Sequence, residues 1–281
     1  MHDSKLYRAI RLTVLVLLAL FTVFPLWVLL VGSLSTPSAS DGVFSWFPAV
    51  VNFHSYVGMW ENAPLLHFLI NSLIVSLASA VISLPIAVLA AYALTRYRIA
   101  GAGIFLRIVL ATQIFPGIMF LLPLFVLYIT IQRTLGITLD GTYWGLIFTY
   151  LTFALPFSIW LLTGYLDTVP RDVEEAAMVD GASRLKAFFY TTLRMAMPGV
   201  AAVGVFTFIT AWGEVLFASV LTNSSTRTLP IGLQLYESPI GSVIHWNELM
   251  AASLTVSVPV VAGFLALQRF FVRGLSAGAV K

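Results

Sequence analysis

The sequence predicts an all-α polytopic membrane protein with six transmembrane helices and both termini cytoplasmic. Three observations carry that reading. Mean hydropathy is +0.96 and only 10% of the 281 residues are charged, far less than a soluble domain of this length displays on its surface. Six stretches are long and apolar enough to match the roughly 20 residues that cross a bilayer. The basic residues also divide unevenly between the connecting segments, as membrane topology requires.

The predicted spans lie at about 12–32, 68–95, 108–131, 143–166, 199–222 and 249–268 of one transmembrane domain covering 1–281. The first is an uncharged run of 21 residues, too long for the apolar core of a signal peptide and therefore read as a retained helix. The second, third, fourth and sixth are also uncharged, and the fifth contains a single acid, Glu214. Pro25, Pro85, Pro116, Pro123, Pro156 and Pro259 fall inside these stretches. Proline is tolerated there because neighbouring helices satisfy the freed carbonyl, so each marks an expected kink.

Thirteen Lys and Arg residues fall on the segments assigned to the cytoplasm: the N-terminus, the 96–107 loop, the loop at 167–198 and the C-terminal tail. Only Arg133 and Arg227 fall on the other side. The outer segments carry Trp46, Trp60, Trp144 and Trp246, which suit a membrane-interface belt. Trp246 is in addition a candidate contact for an extracytoplasmic protein. With no cysteine there is neither a disulfide framework nor a thiolate metal site. The four histidines lie at or beyond span ends without ligand spacing, so no metal site is expected. A net charge of +3 gives no reason to invoke nucleic acid.

The most informative segment is the loop at 167–198. It holds Asp167, Asp172, Glu174, Glu175 and Asp180 with Arg171, Arg184, Lys186 and Arg194 in a chain otherwise 59% hydrophobic. Thr168 and Pro170 suit a helix start, and the acids just after them favour the positive end of the helix dipole. Ala176 and Ala177 are small helix formers that let another surface approach. Asp180-Gly181 is a stop signal and Ser183 a cap for a second helix. In that second helix Leu185, Phe188, Phe189, Thr192, Leu193 and Ala196 recur at helical spacing as one apolar face, with Pro198 ahead of the fifth span. Pattern alone leaves two readings open, a docking surface for a soluble partner and an amphipathic interfacial linker.

The run Glu175-Ala176-Ala177-x3-Gly181 resembles the EAA loop of permease subunits in binding-protein-dependent ATP-binding-cassette importers, closest to the carbohydrate-uptake permeases of the maltose type. Ordered matches run along nearly the whole chain. They are Asn71-Ser72, Ala91-Tyr92-Ala93-Leu94 with Arg96, Phe115-Pro116, Pro123-Leu124, Leu155-Pro156-Phe157 with Trp160, Ala211-Trp212-Gly213-Glu214, Thr228 to Leu233, and a C-terminal signature from Gln268 to Lys281. The chain departs from the pattern at Thr191-Thr192-Leu193-Arg194, where the family has Ile-x-Leu-Pro, and at Gly213, where it has Asn.

The resemblance implies a multi-pass permease in a bacterial or archaeal cytoplasmic (inner) membrane, importing a di- or oligosaccharide. Glycerol-phosphate-type solutes are the alternative substrate. The implied partners are membrane lipid, a second related permease, two cytoplasmic ATPase subunits and an extracytoplasmic solute-binding protein. It makes Glu174, Glu175, Ala176, Ala177, Asp180 and Gly181 the ATPase-coupling residues, with Glu174 and Glu175 available to pair with arginines of the ATPase. The chain itself is then not an enzyme and binds no cofactor: it lacks GxxxxGK[ST], so ATP and Mg²⁺ belong to the partner ATPase.

Within the spans, Asn71, Gln113 and Glu214 are the candidates for a translocation path or a helix contact, because polar groups at membrane depth do one or the other. Tyr92 and Tyr150 stand open to the same two readings, as do Phe115, Phe120 and Phe125 between sugar stacking and packing. A stand-alone secondary transporter would need more intramembrane ionisable groups than Glu214, and a membrane enzyme would need clustered His, Asp or Glu near a span end.

Overall fold

The computed structural model describes residues 5–35, 46–48, 50–97, 99–237 and 246–278, with side chains through residue 265. Among the described residues every regular element is helical: α1 (Lys5–Leu34), α2 (His54–Glu61), α3 (Leu65–Arg96), α4 (Ala102–Ala111), α5 (Ile118–Leu135), α6 (Tyr143–Leu166), α7 (Arg171–Val179), α8 (Arg184–Ala187), α9 (Leu193–Trp212), α10 (Leu216–Leu221), α11 (Leu229–Leu233) and α12 (Trp246–Gly278). Among the described residues six helical stretches are long and apolar enough to span a membrane, so the chain is a multi-pass membrane protein. Pro25, Pro85, Pro123, Pro156 and Pro259 all lie inside helices.

Two predicted spans differ from the structure. The third is not one helix over 108–131. α4 ends in a 3-10 turn at Thr112–Ile114, and Phe115 turns extended (ψ 132°) before α5 begins at Ile118. Pro116 is the cause, since its ring excludes the helical conformation from the residue before it. The fifth span begins at Arg184, not Gly199. α8, a π-helical turn at Phe188–Thr192 and α9 run on without a gap, so Pro198 sits inside a helix. This span then stops at Trp212, and Gly213–Val215 separates it from α10.

Chain contacts divide into two units. In the first, Met1–Leu66 with Gly232–Val258, polar bonds tie the element ends. Asn247 Nδ2 donates to the Gly32 and Ser35 carbonyls at 2.6 and 2.9 Å. Asn62 Nδ2 donates to Glu248 Oε2 at 2.6 Å, and the Tyr236 hydroxyl donates to the Met59 carbonyl. Burial, reinforced by the Glu248 carboxylate, pushes the Tyr236 phenol up to about 12, which holds it in its donor form. α1 itself exposes apolar side chains along most of its length.

In the second unit, His67–Ile231 with Pro259–Lys281, α6 is the central helix. Buried residues recur along its whole length, from Gly145 to Leu166, whereas in α5 Tyr128 alone is buried. Two apolar clusters lie along it. One joins Val75, Tyr128, Leu146, Tyr150, Phe217 and Leu221. The other joins Ala87, Ala91, Tyr92, Leu162, Leu166, Phe188 and Val203. Buried small residues of α3 (Ser72, Ser76, Ser79, Ser83, Ala87 and Ala91) permit the close helix approach that packing in lipid depends on.

The tightest approach to backbone is at Gly145, where a Cβ would collide with the Leu139 carbonyl oxygen. That oxygen also accepts from the Thr142 amide and hydroxyl, and the Gly145 carbonyl accepts from Tyr128 at 3.0 Å. Because backbone rather than a pliable side chain stands in the way, Gly145→Val is expected to reach the upper end of the about 1–3 kcal/mol typical of overpacking. A melt of the purified protein in nanodiscs tests this, and an unchanged midpoint would show that the turn relaxes freely.

Candidate functional site

The candidate docking helix, α7, is built as its sequence dictates. Pro170 enters it in an extended conformation (ψ 138°), where a missing N–H costs nothing. Asp172 and Glu174 occupy the first turn, at the positive end of the dipole. At the far end Gly181 takes φ +91°. Its amide donates to Met178 O and the Ala182 amide to Ala177 O, both at 3.0 Å. This is the paired closure of a Schellman stop, which a Cβ-bearing residue resists. Ser183 Oγ then accepts from the Lys186 amide at 3.4 Å, starting α8. Of the expected apolar face beyond it, Phe188, Thr192 and Ala196 are buried, while Leu185 and Phe189 are exposed. The π turn between them breaks the simple 3.6-residue period.

The structure separates the two adjacent acids. Glu175, Ala176, Asp180 and Gly181 are exposed and Ala177 is half-buried. Glu174, about 100° round the helix from Glu175, points inward and is buried. Its Oε1 accepts from the Tyr92 hydroxyl. Its Oε2 accepts from Arg96 Nε at 3.2 Å and from the Thr192 hydroxyl at 3.0 Å. The expectation that Glu174 pairs with an arginine of another protein is therefore corrected, because its partners are within the chain.

The pathway candidates fall apart into different roles. Asn71 is fully buried. Its Nδ2 donates to the carbonyls of Ser225 and Arg227 at 3.1 and 2.9 Å, and its Oδ1 accepts from the Tyr143 hydroxyl at 2.7 Å. It holds the 223–228 segment against α3 and α6, the contact reading. Gln113 is exposed in the 3-10 turn after α4. Glu214 lies in the break between α9 and α10 rather than inside a helix. Oε1 accepts from the Phe217 amide at 2.8 Å, and Oε2 from the Ala218 amide at 2.9 Å and the Tyr150 hydroxyl at 3.0 Å. It caps α10 and ties it to α6. Phe115 is exposed, whereas Phe120 packs on Phe153 and Phe153 on Phe217, with centroids 5.8 and 4.9 Å apart. Trp246 is exposed at the start of α12.

The sequence assigns no bonding role to Arg96 or Arg171, places Thr192 only on an apolar face, and leaves Tyr92 open between a path and a helix contact. Arg96 Nη2 donates to the Val169 carbonyl at 2.9 Å, and Arg171 Nη2 to the Thr95 carbonyl at 2.5 Å. A signal for this is present in the Ala-Tyr-Ala-Leu-x-Arg run. It places Tyr92 and Arg96 one helical turn apart, on the same face of α3.

Residues 83–277 match the family described as the inner membrane component of binding-protein-dependent transport systems. The chain is 33% identical to the sulfoquinovosyl glycerol transport system permease protein SmoH of Agrobacterium fabrum, over 99% of this chain and 95% of that protein. It is 33% identical to the trehalose/maltose transport system permease protein MalG of Thermococcus litoralis, over 100% and 99% of the two chains. It is also 36% identical to the inner membrane ABC transporter permease protein YcjP of Escherichia coli, over 95% and 94%. A chain of a bacterial ABC transporter that imports the acidic polysaccharide alginate superposes with a TM-score of 0.79 at 22% identity, covering 96% of this chain and 99% of that one. A chain of the MetNI methionine transporter gives 0.54 at 20% identity, covering 78% and 95%, so the fold is shared across unlike cargoes. The chain belongs to the family of inner membrane components of binding-protein-dependent transport systems.

Proposed function

We propose that the chain is one of two permease subunits of an ATP-driven importer for a di- or oligosaccharide, lying in a bacterial or archaeal cytoplasmic membrane with both termini cytoplasmic. The observation that carries this is the short charged helix α7. It shows Glu175, Ala176 and Asp180 to solvent while its inner face is bonded to the membrane helices. A helix exposed on one side and anchored on the other receives a push and passes it on. ATP hydrolysis on two partner ATPase subunits supplies the work. A second, related permease completes the path, and an extracytoplasmic binding protein delivers the cargo. Two of the relatives are named for trehalose/maltose and for sulfoquinovosyl glycerol transport, which favours a glycoside over a glycerol phosphate.

In this reading Ala176 and Ala177 allow close seating, Glu175 supplies charge to a basic partner surface, and Gly181 turns the chain back to the membrane. The decisive experiment is affinity purification of the tagged chain from its native membrane, followed by mass spectrometry of the solute held by the co-purifying binding protein. An ATPase, a second permease and a bound oligosaccharide are the expected result. A chain that purifies alone and supports proton- or sodium-driven uptake in proteoliposomes would overturn the reading.

A further inference from the structure

We infer that Glu174, Arg96 and Arg171 form an internal clasp that makes α7 a rigid extension of α3 and α9, with Glu174 as the positioning residue through which docking at Glu175 is transmitted. The inference rests on the docking reading of α7. The starting point is the length of that helix. α7 has nine residues, and isolated helices below about 12–15 residues are marginal in water. Alone, it would fray or swivel under load rather than transmit it. Its stiffness has to come from tertiary bonds.

Five such bonds converge. Glu174 binds α3 twice, through Tyr92 and Arg96, and binds the π turn leading into α9 once, through Thr192. Two arginines cross over each other. Arg96, at the end of α3, donates to the Val169 carbonyl just ahead of α7, and Arg171, at the start of α7, donates to the Thr95 carbonyl at the end of α3. Each cation thereby meets a carbonyl beside the partner's helix end. Arg96 and Arg171 also place positive charge at the negative pole of the α3 dipole. Packing supports the polar core: the Tyr92 and Phe188 rings lie 4.2 Å apart, and Phe188 is almost wholly buried.

Both members of the ion pair are desolvated, with 7% of each side chain exposed. A buried pair adds little stability over an apolar pair of the same size. Its best-attested use is to fix register, because only one arrangement satisfies both charges. Here the register fixed is that of α7 on two membrane spans. The π turn belongs to the same device. One extra residue in a turn rotates the downstream helix by about 100°, and the hydroxyl at the end of this turn is the one that reaches Glu174.

The test uses the complete importer in nanodiscs. The chain has no cysteine, so spin labels can be placed at exposed Val179 and Ile99 through V179C and I99C. Their separation is then measured with and without Glu174→Gln, Tyr92→Phe and Thr192→Val. The first variant removes charge at constant shape, and the other two remove one hydroxyl each. The clasp predicts one narrow distance in the parent and a visibly broadened distribution in Glu174→Gln. Solute moved per ATP hydrolysed should fall about tenfold in that variant, the factor expected from losing one hydrogen bond to a charged group, while assembly by size exclusion stays intact. Thr192→Val should show the same effect in smaller measure.

An unchanged distance distribution would overturn the clasp. Transport and ATPase falling together in proportion would reduce Glu174 to a merely structural residue and overturn the positioning role. The distance measurement does not depend on the ATPase. Failure of the docking reading would appear separately, as undiminished transport in Glu175→Lys.

Discussion

Glu175→Lys is expected to abolish solute uptake, by about a hundredfold or more, while leaving the chain inserted in the membrane. The residue is exposed at the middle of α7, beyond its first turn, so reversing its charge disturbs little within the chain. Against a basic surface on an ATPase the same reversal sets like charges together, which costs several kcal/mol. Two glycine substitutions sharpen the experiment. A Cβ on Gly181 would meet nothing within 4 Å, yet φ is +91°, so the obstacle is conformation and not space. Gly181→Val should strain the turn by about 1–2 kcal/mol and impair coupling, whereas Gly181→Asn, tolerated in that region, should not. Uptake and solute-stimulated ATP hydrolysis in proteoliposomes read both. Wild-type values in Glu175→Lys would remove α7 as the docking element.

The positions of the spans are legible in the sequence because crossing a bilayer demands a long apolar run, and hydropathy sees little else. The fourth span coincides with α6 for that reason. Hydropathy is blind to interruptions. Phe115-Pro116 and Gly213-Glu214 lie within apolar surroundings, so it draws the third and fifth spans as unbroken rods. The continuity of α8 with α9 escapes it through the same blindness in reverse. The charges of the 167–198 loop put the expected boundary at Gly199, whereas the helix runs through from Arg184.

The candidate docking helix is legible in its caps and in its exposed acids, but not in the difference between Glu174 and Glu175. That difference is set by Arg96, 78 positions away along the chain, and by the Tyr92 and Thr192 hydroxyls. In sequence Thr192 falls at the variable position of the Ile-x-Leu-Pro pattern, between the departures at Thr191 and Arg194. In the structure it is a donor to the buried carboxylate, a role that the pattern does not specify.

The two helix breaks are neighbours. A Cβ on Gly117, just before α5, would lie 3.7 Å from the Phe217 ring of α10. Free backbone groups at membrane depth are tolerated only when protein satisfies them or water reaches them. At the second break protein does so: one carboxylate, Glu214, accepts from two amides of α10 and from Tyr150.

Glu214→Leu is therefore expected to destabilise the assembled subunit by about 3–5 kcal/mol, combining a lost cap with donors left unpaired. Glu214→Gln should fall between, since its amide presents an acceptor to one side of the bonding set and a donor to the other. Tyr150→Phe removes one donor from a carboxylate that keeps two, and should cost about 0.5–1.5 kcal/mol. Thermal melts of the complex in nanodiscs give this ordering directly, and uptake kinetics separate it from the competing role. If Glu214 lines the translocation path, Glu214→Gln will raise KM for the solute at an unchanged melting midpoint. If it caps α10, the midpoint falls first and KM changes only in protein that has begun to unfold. The three short bonds inside the chain favour the second outcome, and a wild-type melt for Glu214→Leu would rule it out.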